Sequence, residues 1–321
     1  PFAGHEYTGI SDSAGSFAFR HSYFTPNFDT IRTGDWNGDG KTDLVVYNSV
    51  NALGYLGLND GTGNLNFRSL FWSPGFNRVA AGDLNGDGRT DFVLHRTSDG
   101  TTYTALSNGD GTFTYRYMLV TIGYTNMLLA DFNGDGRQDV LFYRATDGLA
   151  HLGLSSGTGT FSFTPAGLLA GYTHLVAANL DGDQNADLVL YAAGSGIGDV
   201  AISGGGGFTI QRNAWSPGFT TVALFDYNGD GRADLALYNK NNGLGYLGTN
   251  TGNGTFTFTS LFWGFGMDVV ATSDFNGDGA TDVVIFNAQN GTSYTGLSTG
   301  IPSNPFNYRY GYWGIGRMVI P

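Results

Sequence analysis

The apolar residues of this chain fall in short runs separated by polar, glycine-rich turns. Arg78-Val79-Ala80-Ala81-Gly82 is one such run and Phe92-Val93-Leu94-His95 a second; Tyr55-Leu56-Gly57-Leu58 and Leu65 to Trp72 are two more. No segment carries a sustained helical period, so the pattern predicts strands joined by tight turns.

The pattern repeats. DWNGDGKTD, from Asp35 to Asp43, recurs as DLNGDGRTD from Asp83, DFNGDGRQD from Asp131, NLDGDQNAD from Asn179, DYNGDGRAD from Asp226 and DFNGDGATD from Asp274. The offsets are 48, 48, 48, 47 and 48 residues. A fixed period of this size marks a solenoid or a propeller, and four strands per repeat fit a propeller blade; a parallel β-helix uses much shorter coils. The expectation is an all-β, seven-bladed β-propeller of four-stranded antiparallel blades, forming a single domain over residues 1–321. Six full repeats run from Asp29 to Trp313. The seventh blade is expected from residues 1–24, where Glu6 to Phe24 aligns with Gly54 to Trp72, plus residues 314–321, where Gly316 to Ile320 aligns with a strand that precedes a loop. Such a closure removes free sheet edges.

Within each nine-residue loop, side-chain oxygens stand at positions one, three, five and nine, and position seven offers a main-chain carbonyl. These are hard oxygen donors at calcium-loop spacing, and the glycine at position six permits the sharp bend. The candidate metal ligands are Asp35, Asn37, Asp39, Lys41 and Asp43; Asp83, Asn85, Asp87, Arg89 and Asp91; and Asp131, Asn133, Asp135, Arg137 and Asp139. They continue with Asn179, Asp181, Asp183, Asn185 and Asp187; Asp226, Asn228, Asp230, Arg232 and Asp234; and Asp274, Asn276, Asp278, Ala280 and Asp282. With no flanking helix and no glutamate at position twelve, the loop is not an EF-hand. The fourth loop departs: Asn179 replaces Asp at position one, Asp181 replaces Asn at position three, and Gln184 replaces the position-six glycine, which should strain the turn. Five or six structural Ca²⁺ ions are expected, the fourth site being the weakest.

Charge supports this reading. Six loops of three carboxylates hold 18 of the 27 acidic residues in a chain of net charge -12. Asx turns alone need one carboxylate per loop, not three. An acidic chain lacks the basic face that nucleic acid requires. There is no Cys, which excludes disulfides and thiolate metal sites. No apolar stretch approaches the roughly 20 residues of a membrane span, so no membrane insertion is expected, and the first residues do not read as a signal peptide.

VAAGDLNGDGRTDFVL, Val79 to Leu94, together with NTGNGTFTF, Asn250 to Phe258, resembles the FG-GAP/VCBS repeat. The resemblance spans essentially the whole chain. It implies the calcium-binding propeller of integrin α-chain heads, of fungal lectins of the Psathyrella type and of many secreted bacterial proteins. Calcium at loop positions one, three, five and nine, and an extracellular or cell-surface setting, follow from it; a particular activity does not.

Aromatic residues suggest where a ligand sits. Trp72, Trp215, Trp263 and Trp313 occupy equivalent positions between repeats, with Phe24, Val120 and Leu168 in the others. Tyr55, Tyr103, Tyr246 and Tyr294 share a second position, with His151 in one repeat. These eight aromatics are candidate sugar platforms, since a ring stacks on the apolar face of a pyranose. Blade-to-blade packing is the competing role. The leading reading is a secreted, multivalent carbohydrate-binding module. A protein-adhesion or scaffolding propeller is the alternative, and a polysaccharide lyase or hydrolase, or the non-catalytic propeller of one, is a third. No nucleophile motif, isolated acid–base pair or cofactor loop favours an enzyme. Asn253-Gly254-Thr255 and Asn290-Gly291-Thr292 match glycosylation acceptors and also read as turns.

Overall fold

A computed structural model describes residues 5–12, 14, 16–23 and 27–314. Every described strand belongs to an antiparallel sheet whose strands follow one another in chain order. β1 (His5–Ser11) and β2 (Phe17–Tyr23) form a two-stranded sheet. Blade 1 comprises β3 (Thr30–Gly34), β4 (Asp43–Tyr47), β5 (Leu53–Asn59) and β6 (Leu65–Phe71). Blade 2 comprises β7 (Arg78–Gly82), β8 (Asp91–His95), β9 (Thr101–Ser107) and β10 (Phe113–Leu119). Blade 3 comprises β11 (Asn126–Ala130), β12 (Asp139–Tyr143), β13 (Ala150–Ser155) and β14 (Phe161–Pro165). Blade 4 comprises β15 (His174–Ala178), β16 (Asp187–Ala192), β17 (Ile197–Ser203) and β18 (Phe208–Gln211). Blade 5 comprises β19 (Thr221–Phe225), β20 (Asp234–Tyr238), β21 (Leu244–Asn250) and β22 (Phe256–Phe262). Blade 6 comprises β23 (Asp268–Ser273), β24 (Asp282–Phe286), β25 (Thr292–Ser298) and β26 (Phe306–Tyr312).

The architecture is therefore that of a propeller with six four-stranded blades and a separate two-stranded sheet, not the expected seven blades with a shared closing blade. The physical reason lies in what the N-terminal segment contains. β1 and β2 align with the third and fourth strands of a repeat, and among the described residues they pair only with each other rather than extending a four-stranded sheet. The strand expected at Gly316 to Ile320 lies outside the described residues. The hairpin packs on blade 6 through Phe17 and Phe19, whose rings meet Trp313 edge-on at 5.7 and 5.6 Å. Ser11 Oγ donates to the Phe275 carbonyl at 2.8 Å.

The chain forms two compact units of three blades each. One holds Arg20–Gly171 with Gly204–Phe208 and the first residues of the chain; the other holds Gly9–Phe19, Tyr172–Ser203 and Thr209 onward. Second strands are the heart of each blade. Every residue of β4, β8, β12, β16, β20 and β24 is buried, because neighbouring strands cover both edges and adjoining layers cover both faces. Fourth strands such as β6 and β10 are mostly exposed.

Candidate metal loops and ligand pocket

Each loop coils around its position-one side chain. Asp35 Oδ1 accepts the amides of Gly38 and Asp39 at 2.7 and 3.1 Å, and its Oδ2 accepts that of Gly40 at 2.8 Å. Asp83, Asp131, Asp226 and Asp274 repeat the arrangement. Gly38 and Gly40 adopt φ of 75° and 79°, a region open to glycine at little cost. In the fourth loop Gln184 holds φ 83°, so a residue with a Cβ takes the left-handed bend. There Asn179 accepts the Gly182 amide at 2.7 Å.

Position nine is a buried clasp. Asp91 is fully buried; its Oδ2 accepts the Leu84 amide at 3.0 Å and its Oδ1 the Ser107 amide at 2.7 Å. Asp43, Asp139, Asp187, Asp234 and Asp282 make the same pair of bonds, tying the loop to the third strand. Burial, only partly offset by these amides, raises Asp91, Asp139 and Asp187 to about 6 and Asp234 to about 7. Asp43 and Asp282 are raised for the same reason.

Position five is paired within its own loop. Lys41 Nζ lies 3.2 Å from Asp39 Oδ2 and Arg232 Nη2 lies 2.9 Å from Asp230 Oδ2, while Arg89 and Arg137 pair with Asp87 and Asp135. The position-seven side chains, Asn185 and Ala280 included, thus differ in what they do, although only the main-chain carbonyl was expected to matter. Among the described residues no three His, Asp or Glu side chains already converge as a cation cage. The donor chemistry fits a hard cation nonetheless: carboxylate and amide oxygens on one coiled loop, with no soft ligand. In the four loops with such a pair, a cation would have to draw position five from its lysine or arginine partner.

Successive loops are linked. The position-one carbonyls of Asp35, Asp83, Asn179 and Asp226 accept the amides of Thr90, Gln138, Ala233 and Thr281 in the next blade at 2.7, 2.7, 3.0 and 2.7 Å. The position-two carbonyls of Trp36 and Leu84 accept Ser107 Oγ and Ser155 Oγ, each at 2.6 Å, and that of Leu180 accepts Asn250 Nδ2 at 2.8 Å.

A pocket of about 310 Å³ lies between blades 5 and 6. Lys240, Asn241, Phe265, Gly266, Asp268, Asn287 and Gln289 line it. Lys240 Nζ sits 3.3 Å from Asp268 Oδ1, and both side chains are about half exposed. Asn287 is anchored, donating through Nδ2 to the Phe265 carbonyl at 3.2 Å and accepting the Gln289 amide at 2.9 Å. Phe265 is 66% exposed and meets the exposed Phe262 edge-on at 6.0 Å. The pocket thus joins an open aromatic face to an ammonium, a carboxylate and amides, groups that can donate to and accept from hydroxyls.

The model of the FG-GAP-like repeat matches residues 35–94, 83–142, 131–190 and 226–285, more than half of the chain. The chain belongs to the FG-GAP-like repeat family. Solved structures share the fold of this FG-GAP-like chain at low identity. A lectin from Agrocybe aegerita, described as recognising non-reducing terminal N-acetylglucosamine, superposes with a TM-score of 0.71 at 18% identity, over 98% of this chain and 90% of that one. BBS1N, solved in complex with ARL6DN, gives a TM-score of 0.58 at 10% identity over 95% and 87% of the two chains. YCF48, solved bound to D1 peptide, gives 0.55 at 10% over 96% and 86%. No curated protein matches the chain in sequence.

The tryptophans of the FG-GAP-like repeats take part in packing. Trp72 and Trp263 are 5% exposed; their Nε1 groups donate to Tyr115 and Tyr308 hydroxyls at 3.0 and 2.6 Å. Trp215 is half-buried, stacked with Tyr191 at 6.1 Å. Trp313 stacks on Phe286 at 5.7 Å beneath the N-terminal hairpin. Tyr55, Tyr103, Tyr246 and Tyr294 lie on third strands, half-buried. Tyr103 and Tyr294 pair across strands with the exposed Tyr117 and Tyr310. Sequence reasoning missed the pocket residues Lys240, Asp268 and Gln289. Their signal was a break in the repeat: Lys240 replaces Ser49, Thr97, Ala145 and Ala193, and Phe265 replaces Pro74, Ile122, Ala170 and Pro217.

Proposed function

We propose that this FG-GAP-like propeller is an extracellular, calcium-stabilised carbohydrate-binding module. The observation that carries the reading is the blade 5–6 pocket, where the exposed Phe265 ring adjoins Lys240, Asp268, Asn241 and Gln289. A pyranose would stack an apolar face on Phe265 and share its hydroxyls between the ammonium and the carboxylate. The fold-level likeness to the Agrocybe lectin supports this and suggests a terminal N-acetylhexosamine as the first sugar to try. Phe265 and Lys240 have no counterparts in the other repeats, so this pocket differs in chemistry from the other sites of a multivalent ring. Calcium at the six loops serves stability, since six equivalent clusters suit architecture rather than one catalytic centre.

The test is a glycan array with millimolar calcium and with EDTA, followed by calorimetry on Phe265→Ala and Lys240→Ala. Specific binding lost in both variants supports the reading; a folded, calcium-loaded protein that binds no glycan overturns it. A protein-binding scaffold is the second reading. It is favoured by solvent-facing Phe71, 88% exposed, and Leu119, 67% exposed, on the outer strands of blades 1 and 2.

A further inference from the structure

In four of the six blades the second strand carries, at or next to its end, a tyrosine that latches the connection leaving that blade. Tyr47, Tyr143, Tyr191 and Tyr238 donate their hydroxyls to the carbonyls of Ser73, Leu169, Ser216 and Gly264 at 2.7, 2.8, 2.8 and 2.6 Å. Tyr191 and Tyr238 also accept the amides of Phe219 and Met267 at 3.1 and 3.2 Å. Blade 2 breaks the rule. His95 occupies the latch position, and Thr121 takes the place of the acceptor residue.

His95 is fully buried and makes no hydrogen bond to the connection. Its Nδ1 lies 2.8 Å from Thr102 Oγ1, which itself donates to the Gly100 carbonyl at 3.1 Å. Thr102 therefore accepts from Nδ1–H, and the buried lone pair of Nε2 has no partner among the described residues. The surroundings disfavour a second proton. Arg78 faces His95 in register from β7, and Arg96 follows it in the chain. From the connection, the Tyr124 ring stands at 6.2 Å; from β12, Phe142 stands at 5.1 Å. The Tyr124 hydroxyl is engaged by His151 Nδ1 at 2.5 Å. The carboxylate that acts on the ring, Asp99, is exposed on the turn and pairs with Arg96 at 3.4 Å.

We propose that His95 makes the junction between blades 2 and 3 an acid-operated release, in which protonation frees the connection 120–125 while the tyrosine-latched junctions stay closed. The connection is held by main-chain bonds, Val120 N to Gly100 O at 3.1 Å, Gly123 N to Thr97 O at 3.1 Å and Thr125 N to Tyr143 O at 2.9 Å, by Arg144 Nη1 to the Ile122 carbonyl at 3.0 Å and by Arg78 Nε to the Thr125 carbonyl at 2.8 Å. All of these can be exchanged for water once the imidazolium demands solvation.

Burial, with Arg78 adding to it, depresses His95 from 6.5 to about 4. An opened junction returns the ring to its ordinary value. The closed form thus loses nothing above 6.5; below it the open form alone binds a proton. Opening should grow by up to about tenfold per pH unit until the closed form titrates as well.

The experiment is amide hydrogen exchange on the intact chain between pH 7 and 4.5, corrected for intrinsic chemical rates. Residues 120–125 are compared with residues 72–77, the connection latched by Tyr47. Protection at 120–125 should fall by up to about tenfold per unit relative to 72–77. His95→Tyr restores the repeat's own latch and His95→Phe copies blade 6, so either should abolish the difference, whereas His151→Tyr should leave it. Equal behaviour of the two connections, a dependence that survives both His95 variants, or one that disappears with His151 would overturn the proposal.

Discussion

The indole nitrogen of Trp72 donates to the hydroxyl of Tyr115 across the junction between blades 1 and 2 at 3.0 Å. The same ring lies edge-on to Tyr47 and Phe92 at 5.1 and 5.0 Å. Trp72 is thus both the apolar filling and the polar tie of that junction. Trp72→Ala should cost about 3–5 kcal/mol and Tyr115→Phe only about 1 kcal/mol, as urea unfolding would report. A Trp72→Ala loss below 1 kcal/mol, accompanied by lost sugar binding, would instead place the ring in a ligand site.

Asp91 clamps its loop through two buried amides. Asp91→Ala leaves the Leu84 and Ser107 amides unpaired and should destabilise by about 2–5 kcal/mol even in a chelator. Equal stability of variant and parent in EDTA would mean that the residue acts only through metal.

The fourth loop carries a correctable strain. Gln184→Gly removes a Cβ from a backbone at φ 83° and should stabilise the chain by about 1 kcal/mol, with tighter calcium binding at that loop. Scanning calorimetry with and without calcium is the check; a lower melting temperature in both conditions would refute it.

Calcium and protons should compete. An unfolded aspartate titrates near 3.8, whereas Asp91, Asp139 and Asp187 are held near 6 and Asp234 near 7 by burial. Between those values the folded chain binds protons that the unfolded chain has lost. These four groups therefore favour folding at low pH, and that contribution disappears as pH rises through 6 to 7. They outnumber His95, which acts in the opposite sense. In EDTA the melting temperature should be higher at pH 5.5 than at pH 8. Calcium at about 2 mM, which needs the ionised carboxylates, should reverse the order, adding roughly 1.8 kcal/mol per loop at pH 8 for a Kd near 0.1 mM. A melting temperature that climbs with pH in EDTA would contradict the clasp.

The repeat made most of the fold legible. Loop spacing, strand number and the turn glycines are local properties, since a bend at φ 79° favours glycine wherever it occurs. The four-strand blade followed from that period. The dual role of the loop carboxylates was less visible. Position nine read as one more ligand because spacing cannot distinguish an oxygen facing a cation from one accepting the amides of residues seven back and sixteen ahead.

The chain's own pattern determined six repeats, their antiparallel strands and the oxygen-rich loops, because each rests on contacts within about fifty residues. Only the tertiary structure decided that the N-terminal strands stand as a separate pair, since strand pairing depends on which partner edges are present. It also decided which aromatics are enclosed. Trp72 and Trp263 are buried because the following blade brings a tyrosine hydroxyl to the indole nitrogen. Phe265 is open because the connection between blades 5 and 6 carries it outward beside Lys240 and Asp268.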